Sequence, residues 1–152
     1  MQNPTKEDGV AANSVSEDRL ASEGRRLKLL YTIAAFNTPT GVTLSLDRRR
    51  RLLELAERHQ FLILDDNVHR PLRYDGEPVP TLFSLDQSGR VFKVESFSKT
   101  LAAGLRVGWV TGHADIVRAI VNVRGDLGVG QWMARMLSEY LAEGLLDPHH
   151  HV

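Results

Sequence analysis

Cysteine is absent from this chain, so neither a disulfide framework nor a thiolate metal centre is available, an absence that fits a reducing compartment. An excess of charge of either sign is missing too: 19 Lys+Arg face 19 Asp+Glu, and no bulk attraction to nucleic acid or to an acidic membrane follows. No apolar run reaches the roughly 18 residues of a membrane-spanning helix, and Met1 to Asn13 lacks the apolar centre of an export leader. A cytoplasmic protein with no membrane partner is therefore expected. Internal repeats and long low-complexity tracts are also lacking. What the 152 residues do contain is 42% hydrophobic and 25% charged content, enough for one globular domain with its own core.

Residues 1–24 are polar, with Asp8-Gly9 as a turn signal and a short helix expected around Ser16 to Glu23. Leu27 to Ile33 is a β-prone run, expected to be a buried strand that ends at the turn-forming loop Asn37-Thr38-Pro39-Thr40-Gly41. From Ser45, the residues Leu46, Leu52, Leu53, Leu55 and Ala56 recur at helical spacing and predict an amphipathic helix to about His59. The successive arginines Arg48 to Arg51 cannot share one helix face, so they are assigned to a solvated helix surface rather than to a nucleic-acid patch.

Phe61 to Leu64 is wholly apolar and closes in Asp65-Asp66, the pattern of a parallel strand covered on both sides. Strand, helix and strand make a βαβ unit, and ligands bind beyond the carboxyl ends of such strands. That rule gathers Asp66, the 37–41 loop and Lys99 at one rim of one sheet. A turn-rich connection through Arg73-Tyr74-Asp75-Gly76 and Pro78-Val79-Pro80 leads to a third strand over Val91 to Glu95, and Leu105 to Thr111 is a fourth. Helices follow over Ala114 to Val123 and Gln131 to Glu143, the latter with Met133, Met136, Leu137, Tyr140 and Leu141 assigned to core packing. His149-His150-His151 is taken as a frayed end, and no metal is assigned.

The stretch Ser96-Phe97-Ser98-Lys99-Thr100-Leu101-Ala102-Ala103-Gly104-Leu105-Arg106-Val107-Gly108-Trp109 carries the chemistry. An apolar strand (Val91, Phe92, Val94) before Lys99 would desolvate its amine and make the neutral, nucleophilic form accessible. Ser96 and Ser98 can donate to phosphate oxygens, and Arg106 can pair with them through its fork. A surface lysine after a strand is the plain alternative for Ser-x-Ser-Lys alone, but the whole run is far more specific.

With these residues the chain resembles the fold-type I pyridoxal-phosphate (PLP) aminotransferases, in particular the subgroup of 2-aminoadipate-type transaminases and the cofactor domain of MocR-type regulators. The resemblance implies an α/β fold, a mostly parallel sheet with flanking helices, as part of the family's large domain over residues 25–146, followed by a tail over 147–152. It implies a PLP-dependent transaminase moving an amino group from an amino acid to a 2-oxo acid, with Lys99 as the Schiff-base lysine and carrier of the proton, and Ser96, Ser98 and Arg106 as phosphate contacts.

Alignment on Leu72-Arg73-Tyr74-Asp75-Gly76 puts Asp66 where the family's pyridine-nitrogen acid sits, with Asp65, or an N-cap role for either, as the competitor. His69 stands where the family usually has a tyrosine bound to the cofactor's phenolic oxygen; its ring N–H replaces that donor, or it is a loop histidine without a role. The family's Gln-Asn-Pro-Thr-Gly reads Asn37-Thr38-Pro39-Thr40-Gly41 here, so either Thr38 or Asn37 meets the same oxygen. The likeness runs from about Asp8 to Leu146 and matches the middle of a full-length member, without its glycine-rich phosphate turn, its ring-stacking aromatic or its small domain. The expectation is a truncated aminotransferase whose solitary activity the likeness does not guarantee, from a family that forms homodimers. The alternatives are a MocR-type PLP-sensing domain, with nucleic acid as partner only through a helix-turn-helix module, and a non-catalytic remnant.

Overall fold

The computed structural model describes residues 22–74, 76–125 and 128–146. Most of the polar 1–24 segment and its expected helix, Asp75 of the turn-rich connection, and the 147–152 tail with its histidines lie outside the described residues.

Four strands form one sheet in the order β1 (Leu29–Thr32), β2 (Leu62–Asp66), β3 (Val91–Ser96) and β4 (Gly108–Thr111). The first three run parallel, Leu30 opposite Ile63 and Leu64 opposite Phe92, whereas β4 returns antiparallel with Val110 opposite Val94. Helix α1 (Leu46–His59) joins β1 to β2, the short α2 (Leu82–Leu85) precedes β3, a 3₁₀ turn (Ala103–Leu105) precedes β4, and α3 (Ala114–Val123) and α4 (Gln131–Ala142) follow. The open, mostly parallel α/β sheet expected from the sequence is the one observed.

The bounds of α1 have local causes. Ser45 Oγ accepts from the Arg48 N–H, satisfying one of the orphan donors of the first turn, and Gln60 ends the helix in the left-handed region at φ 59°. Its apolar stripe, Leu52, Leu55 and Ala56, packs with Ala34, Phe61, Ile63, Leu82 and Val91 into the core on one face of the sheet. On the other side of the sheet close packing is local: a Cβ at Gly112 would lie 2.6 Å from Phe92 Cβ, so the chain leaves β4 through a position that tolerates only glycine.

Several expectations need correction. Strand β1 is not buried: Leu29 and Tyr31 are about half exposed, at 46% and 54%, while the alternate residues face inward. Strand β2 is covered fully on one face only, with Ile63 and Asp65 buried and Leu62, Leu64 and Asp66 partly open. The fourth strand begins at Gly108 because Ala103–Leu105 coils into a 3₁₀ turn. In α4 only Leu137 is buried, and Met136 points outward, so core packing does not account for it.

The arginine run also differs from its expected role. Arg50 is exposed, but Arg49 is 1% exposed and fully hydrogen-bonded: Nε donates to the Leu44 carbonyl at 3.0 Å, Nη1 to Pro80 at 3.0 Å and Nη2 to Ala34 at 2.7 Å. Arg49 lies three residues before Leu52 and seven before Ala56, on the buried stripe itself. Arg49→Met removes the side-chain donor from three carbonyls, of which that of Ala34 keeps the Leu44 N–H, and lowers stability by about 2–4 kcal/mol in urea unfolding, against less than about 0.5 kcal/mol for Arg50→Met.

Candidate functional site

Because β2 and β3 are adjacent and parallel, with Asp66 opposite Val94, their carboxyl ends open onto the same rim. The chain beyond Ser96 folds into a tight turn in which the Leu101 and Ala102 N–H groups both return to the Phe97 carbonyl, at 2.9 and 3.1 Å, and Lys99 stands exposed at its tip. The turn is pinned from below: Phe97 is buried, its ring lies 4.7 Å from Trp109, and the Trp109 indole donates to Glu95 Oε2 at 3.0 Å, which also pairs with Lys93 Nζ at 2.8 Å. The desolvation of Lys99 expected from Val91, Phe92 and Val94 is not supplied, since these residues lie along the strand and leave the amine in solvent.

Alternation along β2 separates the two aspartates. Asp65 points into the core, fully buried, next to Asn67 and the Arg49 guanidinium; neither carboxylate oxygen makes a hydrogen bond of regular geometry among the described residues. Burial pushes its carboxyl above the ordinary range, outweighing the opposing pull of Asn67, Arg49 and the Phe83 and Leu82 backbone. Asp66 points to the open face, where Oδ2 accepts from the Tyr31 hydroxyl at 2.8 Å and Oδ1 from the Val68 N–H at 3.1 Å. A cap on the following turn and an open carboxylate thus coexist at Asp66.

Ser96 Oγ accepts from the Ser98 N–H at 3.0 Å and lies 3.1 Å from the Val107 carbonyl and 2.9 Å from Ser98 Oγ. The Val107 carbonyl also accepts from the Phe97 N–H at 3.1 Å, and the Ser96 and Ser98 hydroxyls stay paired with each other. Arg106 is exposed and held at φ 52°, a left-handed backbone that non-glycine residues seldom adopt. His69 has Nδ1 buried with no partner among the described residues. In the 37–41 loop the Thr38–Pro39 peptide is cis, Thr38 is exposed, and the Asn37 Oδ1 already accepts from Thr40 Oγ1 at 3.0 Å. A cavity of about 540 Å³ lined by Ala35, Arg70, Arg73, Tyr74 and Val79 contains none of these residues.

The sequence reading missed Tyr31. Its hydroxyl is held above the ordinary phenol range, first because it donates to Asp66 and also through burial and the nearby negative charge. The signal was the strand period, which puts position 31 opposite Leu64 and so on the face of Asp66.

The family model for aminotransferase class I and II matches residues 11–151. This chain belongs to that family. It is 37% identical, over 98% of its length, to aromatic-amino-acid aminotransferase 1 of Thermococcus litoralis, and 32% identical, over 96%, to the uncharacterized HTH-type transcriptional regulator YisV of Bacillus subtilis. Among solved structures, the multiple substrate aminotransferase of Thermococcus profundus superposes with a TM-score of 0.85 at 39% identity, covering 93% of this chain and 36% of the other. The chain spans about a third of the length of the relatives it matches, 37% and 30% of the first two. Family and fold are those the Ser96–Trp109 stretch implied. No helix among the described residues is long and apolar enough to cross a membrane.

Asp65 supplies a pH test. Its folded carboxyl keeps its proton to higher pH than the unfolded chain does, so stability falls as pH rises from about 3.9 to the raised folded value and levels off beyond it. Asp65→Asn lacks this fall: its thermal midpoint gains on that of the wild type as pH is taken from about 3.5 to 7.

Proposed function

We propose that this chain is the lysine-bearing part of the large domain of a PLP-dependent aminotransferase, which moves an amino group from an amino acid to a 2-oxo acid. The observation that carries the reading is that Lys99, exposed in the turn after β3, and Asp66, which ends the neighbouring parallel strand β2, both follow the carboxyl ends of adjacent strands on one rim of the sheet. The names of two similar structures support the cofactor: a kynurenine aminotransferase of Pyrococcus horikoshii in complex with PMP, 35% identical, and LysN of Thermus thermophilus complexed with N-(5'-phosphopyridoxyl)-L-leucine, 28% identical.

The residues present fit such a group. Each Asp66 oxygen accepts a single hydrogen bond and retains a lone pair, the paired Ser96 and Ser98 hydroxyls lie together at the end of β3, Arg106 is exposed, and the buried His69 Nδ1 lacks a partner among the described residues. When bound, PLP supplies an aldehyde for the amino group and a protonated ring that withdraws electrons from the substrate α-carbon. Lys99 Nζ would hold the cofactor at its aldehyde and would move the proton at the substrate α-carbon. Asp66 keeps the ring nitrogen's proton in place. Ser98 and Arg106 bind the phosphate, with Ser96 both contacting it and fixing Ser98. His69, and Asn37 or Thr38, serve the phenolic oxygen; with the Asn37 carbonyl oxygen engaged by Thr40, its amide NH₂ remains the donor. A homodimer in the cytoplasm completes the reading.

A second reading has a specific support: the chain also matches HTH-type regulators, YisV and, at 30% identity over 96% of its length, YdfD of Bacillus subtilis. On that reading the same lysine binds PLP for sensing rather than turnover, and an in-frame helix-turn-helix region upstream identifies it.

PLP added to the purified chain gives a visible absorbance band and, after borohydride, an adduct that peptide mass spectrometry places on Lys99. Lys99→Ala abolishes the adduct and lowers amino-group transfer by about 100- to 10,000-fold. An adduct on another lysine, or none in the wild type, overturns the reading.

A further inference from the structure

We propose that Tyr31 is a positioning residue that fixes the Asp66 carboxylate in the orientation needed to meet the pyridine nitrogen; the inference rests on the PLP reading above. The argument starts from register. Tyr31 lies opposite Leu64, so its side chain emerges on the same face as Asp66, one strand period short of it, and the length of the phenol spans the step. The hydroxyl donates to Asp66 Oδ2 at 2.8 Å, a charge-assisted distance, while the Val68 N–H holds Oδ1 at 3.1 Å.

A carboxylate gripped at both oxygens, from β1 on one side and from its own following turn on the other, cannot rotate about its terminal torsion. Its two remaining lone pairs then keep a fixed direction. Without Tyr31, one oxygen is held and the other swings, and a single planar N–H on a rigid ring is the kind of partner that suffers most from a swinging acceptor.

The phenol is suited to this task. Its proton is retained because the nearby carboxylate disfavours the phenolate, so it remains a donor at and above neutral pH. The ring is more than half exposed and outside the core cluster, so packing does not explain a tyrosine here, and β1 is already joined to β2 by four register pairs.

The test uses the full chain and four proteins, wild type, Tyr31→Phe, Asp66→Asn and the double variant, with PLP dissociation constants read from the visible band. Phenol ionisation of the cofactor-free proteins is followed by ultraviolet difference spectra. Tyr31→Phe weakens PLP binding about tenfold, the size of a hydrogen bond to a charged group, and adds little to the loss in Asp66→Asn. Tyr31→Leu, which also removes the ring, loses no more than Tyr31→Phe. In the cofactor-free chain, Asp66→Asn brings Tyr31 ionisation to lower pH.

A Tyr31→Phe protein that binds like the wild type, or that loses the same factor with and without Asp66, overturns the proposal, as does a much larger loss in Tyr31→Leu or an unmoved phenol. If the wild type forms no adduct on Lys99, the PLP reading and this inference fail together. If the adduct forms and the coupling is missing, this inference alone fails.

Discussion

One buried guanidinium holds the site's scaffold in register. Arg49 bonds the carbonyl of Ala34 just beyond β1, that of Leu44 just before α1 and that of Pro80 just before α2. At these three points the backbone has left regular structure, although the Ala34 carbonyl also accepts from the Leu44 N–H at 3.0 Å. A single side chain with five donors in a rigid fork satisfies all three, which lysine could not do. The attractive charge near it is Asp65, itself buried and resistant to ionisation, and burial acts on both groups in the direction that disfavours charge. The exit of β1, from which the 37–41 loop projects, and the entries to α1 and α2 therefore depend on a polar knot inside the core rather than on apolar packing alone.

Above that knot, strand alternation assigns the chemistry. Two consecutive aspartates meet opposite surroundings, one enclosed with Arg49 and the other presented beside Tyr31 at the rim. The lysine turn is built on a different principle: an aromatic anchor below it, Phe97 on Trp109, and backbone bonds closing on a single carbonyl. The amine is thereby held forward by a rigid base while remaining in contact with solvent.

What could be read beforehand was whatever local chemistry decides. Ser45 and the apolar period set α1, the run from Ala114 to Val123 came out with its expected bounds, and the apolar run into Asp65-Asp66 marked a strand. The candidate lysine and serines stand out in the sequence because their spacing in the Ser96–Trp109 stretch is specific. Burial was less legible, because it depends on what packs where: Leu29 and Tyr31 look like core residues in isolation and lie on an open face. Arg49 was misjudged for another reason. A run of four identical residues conceals a helical stripe from composition, although the intervals to Leu52 and Ala56 contain it. The Tyr31 bond needed strand register, which no single segment specifies.

The indole of Trp109 gives the lysine turn a spectroscopic handle. Its ring faces Phe97, two positions before Lys99, and its N–H is tied to Glu95, whereas the second tryptophan, Trp132, is largely in solvent at 77% exposure. Trp109 is itself 40% exposed, so the two differ in degree of access to quenchers such as iodide. A rearrangement of the segment between Phe97 and Arg106 registers as a change in the fluorescence of Trp109 against the steady background of Trp132, with no label attached to the chain.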